Sequence, residues 1–261
     1  MRTHFVICAF VAFLVLLLSS EGVAQNVPYV YHRSGYTTDK VAAVEMEVGY
    51  GSREARPFGE SGVEQGLRVR FSPLSWLNVE AWAGMLIPSG TAMAGAYSAE
   101  VNVGLLRQET GYVNVSLGAG YLYDYQNVHV PRIRLAVSRT FGKLDLIATG
   151  LGELPLESDR DAVDVVFGLA ASYEVFQRIR VGLEVMGEDL EGFWENEEAE
   201  GGAKVIVGPT LNFVSSHNVH FKLNMGAVFA ATNNESSRFV PGTNPMGDSG
   251  VIGKFVVGYS F

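Results

Sequence analysis

The sequence predicts an all-β chain, a closed up-and-down antiparallel transmembrane β-barrel of about 12 strands. Three observations lead there. Apolar residues recur at every second position in about a dozen short runs of 7 to 13 residues, which is strand periodicity. Long and short polar connections alternate between those runs. After residue 24 no stretch approaches 18 consecutive apolar residues, although 48% of the chain is hydrophobic, which argues against membrane-spanning helices.

Residues 1–24 read as a secretory signal peptide: Arg2, an apolar run from Phe5 to Leu18, and the small-residue ending Gly22-Val23-Ala24. The run is too short for a bilayer-crossing helix, which needs roughly 20 residues. The single cysteine, Cys8, lies within it, so the mature chain is expected to carry neither thiol nor disulfide. Removing these residues takes away Arg2 and Glu21 and leaves the net charge at −9, an acidic chain without a basic cluster and so not one for nucleic acid. Residues 25–40 show no period and are expected to form a periplasmic lead-in, with the transmembrane barrel occupying 41–261.

The first strand places Val44, Met46, Val48 and Tyr50 on one face and Glu45, Glu47 and Gly49 on the other. A polar loop through Arg53 to Glu64 follows. In the second strand Leu67, Val69 and Phe71 alternate with Arg68 and Arg70, and Pro73 ends it. The third, Leu77 to Ile87, sets Val79, Ala81, Ala83 and Met85 against Asn78, Glu80, Trp82 and Gly84. The fourth and fifth, Tyr97 to Leu105 and Val113 to Tyr123, repeat the pattern, the fifth most regularly. Strands six and seven flank the turn Thr140-Phe141-Gly142, with Arg132 and Arg134 on the polar face of the sixth. Strands eight and nine flank Phe176-Gln177-Arg178. Strand ten, Ala203 to Phe213, and strand eleven, Val219 to Phe229, meet at Ser215 to Asn218. The twelfth, Val251 to Phe261, carries Phe261, Tyr259, Val257 and Phe255 on one face and Lys254 on the other.

Short turns follow strands two, four, six, eight and ten, and long loops follow the odd ones. An even number of strands puts both ends of the barrel sequence on the short-turn side. Closure is required because hydrocarbon offers no hydrogen-bond partner to a free sheet edge. The rival, a soluble sandwich or eight-stranded soluble barrel, would turn its apolar face to a core; the Gly, Ser, Asn and charge of the polar face here suit a wet lumen instead. Aromatics fall in two bands. Phe71, Trp76, Phe141, Phe176, Phe213 and Phe261 lie at the short-turn end, and Tyr50, Tyr97, Tyr121, Tyr123 and Phe229 near the long loops.

If the apolar face meets lipid, the lumen receives Glu45, Glu47, Arg68, Arg70, Glu80, Glu100, Arg132, Arg134, Arg180, Glu184, Lys204, Lys222 and Lys254. Opposite charges then sit on neighbouring strands, and closure brings Lys254 beside Glu45 and Glu47. Two readings stay open: the pairs satisfy one another in a narrow barrel, or the lysines and arginines form a stripe that guides anionic solutes. Trp82, with Leu86 and Leu122, would line a lumen site for an apolar or aromatic solute.

Catalysis finds no constellation. Of His32, His129, His217 and His220, none has a serine at a recognisable spacing on the outer face, so the chain is read as no enzyme, with no cofactor. The acidic stretch Glu188 to Glu200 offers carboxylates to calcium without the fixed spacing of a calcium loop.

The terminal Val257-Gly258-Tyr259-Ser260-Phe261, with Lys254 at the polar place of the signal and Val256 where glycine is usual, resembles the closing strand of bacterial outer-membrane β-barrels. The chain is similar to twelve-stranded channels and transporters of that class. The resemblance implies the outer membrane of a Gram-negative bacterium and contact with its lipid and lipopolysaccharide. It also implies Tyr259 and Phe261 as an assembly signal for the barrel-assembly machinery, and passive passage of a small solute. The alternative function is a structural or surface-interaction barrel whose lumen is closed by ion pairs.

Overall fold

A computed structural model describes residues 28–35, 41–51, 62–88, 92–156, 163–188, 204–230 and 250–261. Twelve strands form one closed antiparallel barrel: β1 Val41–Gly51, β2 Gly62–Leu74, β3 Leu77–Pro88, β4 Ala94–Leu106, β5 Asn114–Tyr123, β6 His129–Phe141, β7 Leu144–Glu153, β8 Asp164–Phe176, β9 Ile179–Glu188, β10 Lys204–Val214, β11 Val219–Ala230 and β12 Gly250–Ser260. Each strand pairs with its sequence neighbours, and β1 closes on β12 with Glu47 opposite Val256 and Gly49 opposite Lys254. The expected class, strand number and order of turns are all present. One connection differs: between β4 and β5 the chain makes a short helix, α1 Gln108–Gly111, fastened by Gln108 N–H donating to Asn114 Oδ1 at 2.9 Å.

The faces follow the period of two. On β1, Met46, Val48 and Tyr50 are exposed while Glu45 and Glu47 are buried. On β8, Phe167, Leu169 and Tyr173 face out and Gly168, Ala170 and Ser172 face in. Exposing so many large apolar side chains would be costly in water, at roughly 25 cal/mol per Å², and becomes favourable against hydrocarbon. The barrel is therefore a membrane barrel. Both aromatic bands are present outside: Phe71, Trp76, Phe141, Phe176 and Phe213 toward the short turns, Tyr50, Tyr97 and Phe229 toward the loops. Tyr97 and Tyr123 stack at 5.1 Å, and Phe213, Phe221 and Phe255 form a ladder with centroids 6.0 and 6.4 Å apart.

Residues 28–35 belong to the stretch expected as a periplasmic lead-in. They lie inside the barrel. The segment enters from the short-turn end, where the Tyr29 hydroxyl donates to the Asp145 carbonyl at 2.8 Å. It climbs to mid-barrel and returns so that Gly35 N–H donates to Ser116 Oγ at 3.0 Å. The signal peptide assigned to 1–24, the acidic stretch beyond Glu188 and most of the long loops lie outside the described residues.

Candidate functional site

The candidate site is the lumen, which the wall strands line with ionisable side chains and which residues 28–35 occupy. A bent segment without strand partners brings backbone N–H groups into the barrel interior, and each buried one needs an acceptor. Glu184 on β9 supplies two: its Oε1 accepts from Val30 N–H and its Oε2 from Tyr31 N–H, both at 2.8 Å. The Thr210 hydroxyl from β10 donates to Glu184 Oε1 at 2.7 Å and orients the carboxylate from behind.

Arg33 folds its guanidinium back onto the Val30 carbonyl at 3.2 Å and faces Glu47 and Glu80 at 3.8 and 3.6 Å. The arginine thus closes the bend of the segment and ties it to two wall strands. His32 is 1% exposed. Its Nδ1 meets the Thr149 hydroxyl of β7 at 2.9 Å, and its Nε2 lies 3.9 Å from Glu184 Oε2. The ring passes directly over Gly168 of β8, where a Cβ would run into it. Burial, and then the guanidinium groups of Arg134 and Arg33, push the His32 pKa down to about 3, so the imidazole is neutral. Burial likewise raises the Tyr31 phenol well above its ordinary value.

The wall charges pair as their strand positions imply. Glu47 receives Arg68 Nε at 2.6 Å from β2 and Lys254 Nζ at 2.7 Å from β12, across the closing seam. Lys254 also reaches Glu64 at 3.3 Å. Glu45 accepts from Lys222 Nζ and meets His220 Nε2, each at 2.9 Å, with Arg70 at 3.8 Å. Arg134 grips Glu100 through two bonds of 2.7 and 3.0 Å. Arg132 binds Glu153 at 2.5 Å, Arg68 binds Glu80, and Arg180 binds Asp145. Lys204 is half-buried at the long-loop end, opposite Glu188.

The basic residues therefore do not form a bare stripe: Lys222 and Lys254 are spent on carboxylates of β1 and β2. Trp82 and Leu122 line the lumen cavity described below, as their period implies. Leu86 does not. It packs in an apolar layer with Ile206, Val228 and Ile252, capped by Tyr31, Tyr125 and Met186. Four contributors carry no sequence signal of their own. Tyr31, His32 and Arg33 sit in the segment expected outside the barrel. Glu64, in the stretch expected as loop, lies on the lumen face of β2, which begins five residues before Leu67; extending the alternation of Arg68 and Arg70 backwards reaches it.

Among the described residues no group of three or more His, Cys, Asp or Glu is placed to hold a metal ion. Above the inserted segment remains a cavity of about 180 Å³, between Tyr31, His32 and Arg33 and the walls of β2 to β9, with Lys254 of β12.

No family model and no curated protein matches the sequence. Solved structures do match in fold. The KdgM porin superimposes with a TM-score of 0.57 at 9% identity, over 84% of this chain and 99% of its own. The NanC porin gives 0.57 at 9%, over 83% and 98%. An outer membrane channel from Pseudomonas putida F1 gives 0.54 at 11%, over 94% and 100%. The fold, with the apolar exterior, defines the class: the chain is a twelve-stranded transmembrane β-barrel, similar in fold to porins and channels of the outer membrane. It is built like porins and channels rather than like a soluble sandwich.

Proposed function

We propose that the barrel is a passive channel for small solutes whose passage is held shut by its own residues 28–35. The observation that carries this is the double hydrogen bond from Val30 and Tyr31 to Glu184 at mid-lumen. A segment that only needed anchoring could lie outside the barrel. Here it sits across the path, on wall groups that water could satisfy once it left. In line with the class, residues 1–24 act as the secretion signal, Tyr259 and Phe261 address the barrel-assembly machinery, and the apolar belt contacts lipid and lipopolysaccharide.

A second reading is favoured by the ion-pair network. Glu45 with Lys222, and Glu47 with Lys254, are paired wall to wall, Glu47 facing Arg33 of the segment besides, which suits a structural barrel closed by its own charges. Liposome swelling with small sugars and organic acids separates the two. The intact barrel is expected to swell vesicles slowly and a variant lacking 28–35 quickly. Sealed vesicles from both, with the barrel folded by its gel mobility, would leave the structural reading standing.

A further inference from the structure

The cavity above the inserted segment has the chemistry of a binding site. Its aromatic corner is made by Trp82 and Tyr125, whose rings meet at 84° with centroids 6.3 Å apart. The Trp82 ring lies along the wall over Gly66 and Gly84, where any Cβ would collide with it, so β2 and β3 are cut away to seat a ring that a lumen of ion pairs does not need. The Tyr125 hydroxyl donates to Glu64 at 3.1 Å and is fixed. At about 180 Å³ the space is below the roughly 300–1,000 Å³ of drug-sized pockets and suits a single ring rather than a chain.

The hydrogen-bonding capacity left over around this cavity is weighted toward donors. Tyr31 Oη, His32 Nε2, Trp82 Nε1 and Arg132 Nε are buried and have no hydrogen-bond partner among the described residues. All four residues line the cavity, and only the His32 nitrogen takes either role, by tautomer. Trp and Arg are donors only, and a tyrosine hydroxyl donates readily. The wall carboxylates Glu80, Glu100 and Glu153 are already engaged by Arg68, Arg134 and Arg132. Buried donors call for an acceptor, and a carboxylate is acceptor-only, whereas a sugar hydroxyl also asks for acceptors that are not to spare. Of the charged residues lining the cavity, Arg33, Arg68, Arg132, Arg134 and Lys254 outnumber Glu64, Glu80, Glu100 and Asp124, which gives the space a slight positive balance.

We infer that this cavity binds a small cyclic carboxylate, its ring in the corner of Trp82 and Tyr125 and its carboxylate toward Arg132 and Tyr31. The inference rests on the channel reading, in which this would be the solute site on the long-loop side of the closure. Because Tyr31 belongs to the inserted segment, site and closure share a residue, and occupancy of one is felt by the other.

The test is equilibrium binding to the full folded barrel in detergent, read by calorimetry and by Trp82 fluorescence in a Trp76→Phe/Trp194→Phe background. The probes are benzoate, cyclohexanecarboxylate, cyclohexanol and methyl glucoside. Both carboxylates are expected to bind at least roughly tenfold tighter than the two neutral rings, and Arg132→Gln and Tyr31→Phe each to weaken them by a similar factor. Tyr31→Phe removes one hydroxyl, so it keeps the test open if Trp82→Ala fails to fold. Equal binding of methyl glucoside, or no binding by either carboxylate, overturns the inference. Binding needs no conduction: sealed vesicles with carboxylate binding would remove the channel reading alone, and swelling without binding would remove this inference alone.

Discussion

Glu184 and Val30 lie 154 residues apart in sequence and 2.8 Å apart in the lumen. The same carboxylate holds Tyr31 N–H, so one wall residue fastens the tip of the inserted segment. Hydrogen bonds to a charged group contribute about 1.5–3 kcal/mol each. Glu184→Ala removes two of them and leaves two backbone donors unpaired, which favours withdrawal. Planar-bilayer recordings are expected to show the open fraction rising at least roughly tenfold. Unchanged gating, with the segment also no more open to protease, would argue that other contacts hold it.

The barrel wall was legible because two signals agree at every strand. Period-two alternation sets the faces and turn length sets the direction, so Glu47 could be placed against Lys254 from closure alone. The ends of strands were less legible, as Glu64 shows, because a polar lumen face and a polar loop share a composition. Residues 28–35 carried no readable signal. A single bent piece that touches β1, β3, β5, β7, β8 and β9 meets a different environment at each residue, so it has no period, and its partners are more than 80 residues away for Gly35 and more than 150 for Val30. Leu86 and Leu122 share a face and a residue type; only the height of each in the barrel sends one to the apolar layer and the other to the cavity.

Locking the segment in place tests whether it must move. Gly168 lies beneath the His32 ring closely enough that a Cβ there would overlap it. The pair His32→Cys/Gly168→Cys puts two thiols at this contact, where disulfide formation, which needs Cβ atoms about 3.5–4.5 Å apart, is checked first by loss of free thiol. Cys8, the one native cysteine, lies in the expected signal peptide, so the engineered pair reacts without competition. Oxidised barrels should conduct no more than background and recover on reduction. Equal conductance in both states would show that the path avoids the segment.

The charge network makes a separate prediction about stability. Lys222 is 1% exposed, and its ammonium depends on Glu45. Glu45→Gln leaves that cation buried beside Arg70, and breaking such a pair costs about 3–5 kcal/mol. Replacing both partners, Glu45→Gln/Lys222→Met, removes the stranded charge and should recover at least half of the loss. Urea unfolding in lipid vesicles, followed by the gel shift between folded and unfolded barrel, measures both. A double variant no better than the single would mean that Lys222 is stabilised by something other than Glu45.

Acidification should open the barrel, and the sign follows from His32. Released into water, this imidazole ionises near 6.5. Inserted, it does so only near 3, because burial and then the guanidinium groups of Arg134 and Arg33 oppose its charge. Thr149 supplies a neutral partner, and the Glu184 carboxylate 3.9 Å away is already taken by Val30, Tyr31 and Thr210. Between these two values the released segment binds the extra proton, so insertion loses stability as pH falls through 6.5 toward 3 and is insensitive to this group above 6.5. Each unit costs about 1.4 kcal/mol, so going from pH 7 to pH 5 costs about 2 kcal/mol and shifts the closed-to-open ratio roughly thirtyfold. His32→Asn keeps a polar group beside Thr149 and cannot titrate, so its conductance should lose this dependence while remaining low at pH 7. Conductance that falls on acidification, or an equal slope in wild type and His32→Asn, would place the pH response on other groups.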